Sequence, residues 1–189
     1  MFDLPEDFRD LSASIYEANR KWWVDLHTGK PKDRDLGEVL MLTISEVSEA
    51  MEGERKSLMD DKLPHRKMAE VEMADVVIRL IDLAENKDLN LIGTEWLNNP
   101  FEMDDNVGSQ LLYICALICK MHGEFMDYDN GVDEIELNRR ACAILNAVLW
   151  YCHKKGYDLW GAVREKHEYN QHREDHKTEN RLKEGGKKW

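Results

Sequence analysis

The chain of 189 residues is 42% hydrophobic, 34% charged and 8% aromatic, and carries a formal charge of −12 at pH 7. One compact domain over residues 1–189 suits that length, and four prolines and eleven glycines are too few for a low-complexity or collagen-like chain. The acidic balance argues against nucleic-acid binding, which needs clustered Lys and Arg to hold phosphates.

The first residues, from Met1 to Asp7, carry acid where a signal peptide needs a basic start and an apolar stretch. No run reaches the ~18–20 apolar residues of a membrane span, so a cytoplasmic protein without membrane contact is expected. Pro5 suits the first turn of a helix running to about Asp25, which Thr28-Gly29-Lys30-Pro31 breaks. A second helix spans roughly Asp35 to Lys56, with Leu36, Leu40, Ile44, Val47 and Met51 on one face. Ser57 to Pro64 reads as a loop, and a third helix covers about His65 to Asn86. The stretch Asp88 to Asp105, with Gly93, Asn98, Asn99 and Pro100, is irregular or holds a short helix. An additional helical pair follows at about 106–155, joined by Tyr128-Asp129-Asn130-Gly131. A last helix begins near Tyr157-Asp158, and Gly185-Gly186 marks its frayed end. The expectation is an all-α bundle of about six helices with short connections.

Cys115, Cys119, Cys142 and Cys152 form no Cys-x-x-Cys pair, and the apolar stretch around Cys115 and Cys119 makes both expected core residues. Residues 164–189 hold eight Lys/Arg and six Asp/Glu, so the rest of the chain carries −14. A basic end on an acidic body can attract an anion, but the same count describes a solvated tail at about 177–189, the preferred reading.

The second and third helices carry the chemistry. Glu46 and Glu49 sit one turn apart, as do Glu72 and Asp75. At ~100° per residue, Glu46 and Glu49 fall nearly opposite the Leu36-to-Met51 stripe, yet Val39 and Leu42 project beside them. On the third helix Glu72, Asp75, Arg79 and Asp82 form a narrow stripe, while Ala69, Met73, Val76, Val77, Leu80, Ile81 and Ala84 cover most of the remainder. So broadly apolar a helix is largely buried. If the acidic stripes face each other, four carboxylates converge where water is scarce, and they must protonate or find cations. Hard oxygen donors without His or Cys suit Mg²⁺, with Mn²⁺ an alternative. The bland alternative is an Asp75–Arg79 ion pair with Glu46 and Glu49 facing water. A di-iron bundle needs Glu-x-x-His twice, which no histidine here supplies. His172 and His176 lack the His-Glu-x-x-His pattern of a zinc site.

Glu46-x-x-Glu49 followed by Glu72-x-x-Asp75 resembles the signature of the all-α nucleoside triphosphate pyrophosphohydrolases, the MazG-like group. Asp60-Asp61-Lys62-Leu63-Pro64-His65 leading into Ala69 to Arg79 strengthens the likeness, and Lys166 to Arg173 is similar to the group's Lys-x-x-x-Asn-x-x-Arg element. The resemblance covers about residues 10–85 and 156–188; the helical pair departs from the smallest members. It implies a Mg²⁺-dependent enzyme that cleaves canonical or altered (deoxy)nucleoside triphosphates between the α and β phosphates, as nucleotide-pool housekeeping. Glu46, Glu49, Glu72 and Asp75 would hold the metal, with Glu49 orienting water or taking its proton. Lys166, Asn170 and Arg173, on one helical face, would meet the phosphates. Asn19, Trp22, Trp23 and His27 are candidates for the base, although adjacent tryptophans cannot both face it. A homodimer or homotetramer is also implied. The rival reading is a non-catalytic helical module that binds nucleotide or protein.

Overall fold

The computed structural model describes residues 4–92, 105–126 and 134–187. Among these it contains seven α-helices and no strand: α1 (Phe8–Asn19), α2 (Leu36–Lys56), α3 (Met68–Asn86), α4 (Val107–Met126), α5 (Glu134–Lys155), α6 (Leu159–Gln171) and the short α7 (Thr178–Arg181). The architecture is the expected all-α bundle. No helix among the described residues is long and apolar enough to cross a membrane. The Asn98–Pro100 signal and the Tyr128–Gly131 connection lie outside the described residues.

α3 is the axis of the bundle. Fourteen of its 19 residues are buried, and it packs against α1, α2, α5 and α6. An all-round apolar helix can be stable only when neighbours cover it from several sides. Met73, Val77 and Ile81 meet a core that includes Ile15, Val47, Ile144 and Leu145. The helical pair α4–α5 extends this core, with α4 also lying along α2.

The starts of α2 and α6 are fixed by capping side chains. Asp35 caps α2 by accepting from Glu38 N–H at 2.9 Å, and Asp158 caps α6 by accepting from Gly161 N–H at 3.1 Å. A Cβ at position 161 would run into the Asp158 carboxylate and lie 2.6 Å from Arg66 Nη2, so both side chains would have to move. A Cβ on Gly53 would lie 2.9 Å from Ala69 N, so glycine lets α2 approach the start of α3.

Three expectations are corrected. The first helix ends at Asn19, and Arg20–Trp22 continues as a 3₁₀ turn; the tighter winding lets Trp23 turn inward, where it is buried. The last helix breaks after Gln171, because Arg173 is extended and turns the chain back until the Arg181 guanidinium lies 3.8 Å from the Trp22 ring centroid. The C-terminal segment is therefore docked rather than a free tail: Arg181 is buried and donates to the Lys21 carbonyl at 2.7 Å. Finally, Cys119 is exposed and Cys115 only half-buried, whereas Cys142 and Cys152 are buried. The face of α4 turned inward is Leu111, Ile114, Leu117, Ile118 and Met121, which leaves Cys119 on the other side of the helix.

Candidate active site

Glu46 and Glu49 on α2 face Glu72 and Asp75 on α3 across a cavity of about 430 Å³, which α6 closes with Lys166 and Asn170. One carboxylate oxygen from each of Glu46, Glu72 and Asp75 lies within 4.8 Å of the other two. Glu49 lines the same cavity but is exposed at its rim and is not part of that close group. The acidic stripes of the two helices thus converge, three acids in the centre and one at the edge.

The three central acids differ in their partners. Glu46 accepts two nitrogens of Arg79, at 2.7 and 2.5 Å. Asp75 pairs with Lys166 Nζ at 3.0 Å and accepts from Asn170 at 3.4 Å. The simple Asp75–Arg79 pair along one helix is therefore not what forms: Arg79 crosses to α2 and leaves Asp75 to α6. Glu72 is 6% exposed and has no ion pair or hydrogen bond among the described residues. Its carboxyl is pushed up to about 9, first by burial and then by Asp75, with Glu46 and Glu49 adding to the effect. Burial also raises Asp75, while Lys166 opposes the rise. For Lys166 burial works against the charge, but Asp75 and Glu72 more than offset it and the ammonium is held above its usual range.

These residues fit a divalent cation. A nine-tenths buried, unpartnered carboxylate is costly, and the donor set is oxygen alone, which suits a hard ion. The Asn170 side-chain oxygen is buried without a partner as well. Glu46, Glu72 and Asp75 are the residues that could share the ion.

Cationic groups border the acids. Arg173 lines the cavity and is tied to Asp175 at 2.7 Å; Asp175 also holds Lys187, which reaches the cavity from the C-terminal segment. Lys62 joins them from the loop before α3. That loop is shaped by the buried Asp60, which accepts from the backbone N–H of Lys62 and Leu63 at 2.9 and 2.7 Å. His176 also lines this side, its ring held down to about 3 by burial and by Arg173 and Lys187.

The four candidates for base contact separate. Asn19 and half-buried Trp22 line the cavity. Trp23 does not: it is 6% exposed and donates its indole N–H to Asp82 at 3.0 Å. His27 is exposed in the turn after α1, away from the cavity lining. Two residues not singled out for the site, Arg34 and Asp82, take their place at this end of the cavity. Asp82 was visible as the last member of the α3 stripe, whereas nothing around Arg34 in the sequence marked it.

Compared with known proteins, the chain matches no protein-family model, no curated protein and no solved structure. The chemistry of the site therefore rests on its own residues.

Proposed function

We propose that the protein is a Mg²⁺-dependent nucleoside triphosphate pyrophosphohydrolase of the MazG-like kind, releasing nucleoside monophosphate and pyrophosphate. The observation that supports this most is Glu72: a buried carboxylate without a partner among the described residues, within 4.8 Å of oxygens from Glu46 and Asp75, at a site that also holds Lys166. A polyphosphate is repelled by such an acidic floor unless cations intervene.

In this reading Glu46, Glu72 and Asp75 hold Mg²⁺, or Mn²⁺ in its place, with Glu49 at the rim. When bound, the ion supplies charge for the phosphate oxygens and acidifies water in the site. Lys166 and Arg173 offset the remaining charge, Arg173 in bidentate fashion, and Asn170 offers its amide to a phosphate oxygen or to water. Water attacks phosphorus at the α–β anhydride, Glu49 takes its proton, and the bridging P–O bond breaks as pyrophosphate leaves. Assembly as a homodimer or homotetramer belongs to the same reading; Met41 and Leu112 are exposed apolar side chains available for it.

The test is to incubate the protein with each nucleoside triphosphate, with and without Mg²⁺, and resolve the products. Monophosphate plus pyrophosphate, only with the ion, is the expected result; diphosphate plus orthophosphate, or no turnover at all, overturns the proposal. Glu49→Gln should lose most turnover while still binding Mn²⁺.

A further inference from the structure

The end of the cavity away from Glu72 is built as carefully as the acidic end. Asp82 lies seven residues beyond Asp75 on α3, which is two turns or about 10 Å along the same face. It is 7% exposed, and one carboxylate oxygen is committed to the Trp23 indole N–H at 3.0 Å. The other oxygen has no hydrogen bond among the described residues. Arg34 is 8% exposed. Its Nε and Nη2 both donate to Glu38, at 3.2 and 3.1 Å, and its Nη1 has no hydrogen bond among the described residues.

Trp23 organises the two. Its ring carries the Arg34 guanidinium 5.1 Å from the centroid, while its N–H fixes Asp82. Arg34 and Asp82 are close enough to interact electrostatically: burial raises the Asp82 carboxyl to about 7, and the hydrogen bond from Trp23 and the Arg34 charge pull against that rise. Both residues line the cavity, together with apolar Leu42 and Ile78 and with Trp22. Each keeps one polar atom unpartnered although nine-tenths of the residue is buried. Such atoms are normally satisfied by something.

We infer that Arg34 and Asp82 form a donor–acceptor pair that reads the hydrogen-bonding edge of a nucleobase, with Trp23 as the residue that positions both. This rests on the nucleotide reading of the acidic end. A guanidinium N–H beside a carboxyl oxygen complements a planar ring that shows an acceptor next to a donor, as the pairing edge of a nucleobase does. Leu42 and Ile78 supply apolar surface for the ring. Specificity follows because a bound base without the matching groups would cover these two cavity-facing polar atoms and leave them unpaired.

The test measures binding rather than turnover. Affinities of dAMP, dCMP, dGMP, dTMP and 2-deoxyribose 5-phosphate are determined by calorimetry for the full chain and for Asp82→Asn. Asparagine keeps the acceptor for Trp23 and turns the free oxygen into a donor. The intact protein should prefer one or more of the four nucleotides over the sugar phosphate. Asp82→Asn should change the ranking of the bases by tenfold or more, while sugar phosphate binding stays within twofold. Arg34→Gln should change the ranking too, and unaltered tryptophan fluorescence would show that Trp23 keeps its place. An unchanged ranking in both variants, or no preference over the sugar phosphate in the intact protein, overturns the inference. Failure of the hydrolase reading looks different: base ranking persists, but no triphosphate is cleaved.

Discussion

Glu70 and Glu72 stand two residues apart on α3, equally buried at 7% and 6% exposure, and their surroundings could hardly differ more. Glu70 accepts from Arg66 at 2.7 Å and from the Asp158 backbone N–H at 2.9 Å. Arg66 in turn grips Glu165 with two nitrogens, at 3.0 and 2.7 Å, and reaches Asp158 at 3.2 Å. This network binds the start of α3 to the start of α6. Glu72, on the neighbouring face, has no hydrogen bond or ion pair among the described residues and sits among other acids. A buried carboxylate held by a cation and a backbone N–H is scaffold; one without such partners beside like charges marks a candidate ligand site. The first network also serves the second site, because α6 carries Lys166 one residue after Glu165.

The sharpest way to break this comparison is to remove the cation from the scaffold side. Arg66→Met should cost about 3–5 kcal/mol in urea unfolding, since it strands Glu70 in the interior. A loss under roughly 1 kcal/mol, the range of surface pairs, would make the network ornamental. On the other face, Glu72→Gln and Asp75→Asn should each reduce pyrophosphate release by on the order of 100-fold or more, above what outer contacts of a metal site usually cost. Glu72→Gln should not destabilise the metal-free protein, because it replaces a buried carboxyl that has no partner among the described residues with an amide that cannot ionise. A wild-type rate together with lost stability would reverse the roles of the two glutamates.

A pH series distinguishes them next. Between about 4.5 and 9 the unfolded chain has released the Glu72 proton and the native protein retains it. The native state therefore binds more protons across that window, and stability falls as pH rises. In EDTA the melting temperature should drop from about pH 5 to about pH 9, and Glu72→Gln should flatten that drop. Added Mg²⁺ should raise the melting temperature of the intact protein more than that of the variant. The smallest effect is expected at exposed Cys119, where Ser should alter stability by no more than about 0.5 kcal/mol.

The acidic end of the site was legible because it is written in helical period. Glu46 and Glu49, then Glu72 and Asp75, repeat at one turn amid apolar residues, and their convergence follows from packing two such helices together. Lys166 and Asn170 share that period on α6, whereas Arg173, expected on the same helical face, lies beyond the helix end and reaches the cavity from the extended residue that follows it. The end lined by Trp22, Arg34 and Asp82 was not legible. Trp23 read as a candidate base contact because adjacent tryptophans at a helix end look alike in sequence; the 3₁₀ turn buries one and leaves the other at the cavity. Cys119 read as core because α4 is apolar on several sides, and only the placement of α2 and α5 decides which side is covered. The C-terminal basic segment read as solvated because composition cannot register the docking of Arg181 on Trp22.

By itself the sequence determined the helices, their order and the two acidic turns, since these depend on neighbours within about four residues. Tertiary packing alone decided which cation each acid receives. Arg79 crosses to Glu46, Lys166 comes to Asp75, and Glu72 receives none among the described residues. Those pairings join residues 33 and 91 positions apart, and over such separations the partner is set by the geometry of helix packing, which no local pattern encodes.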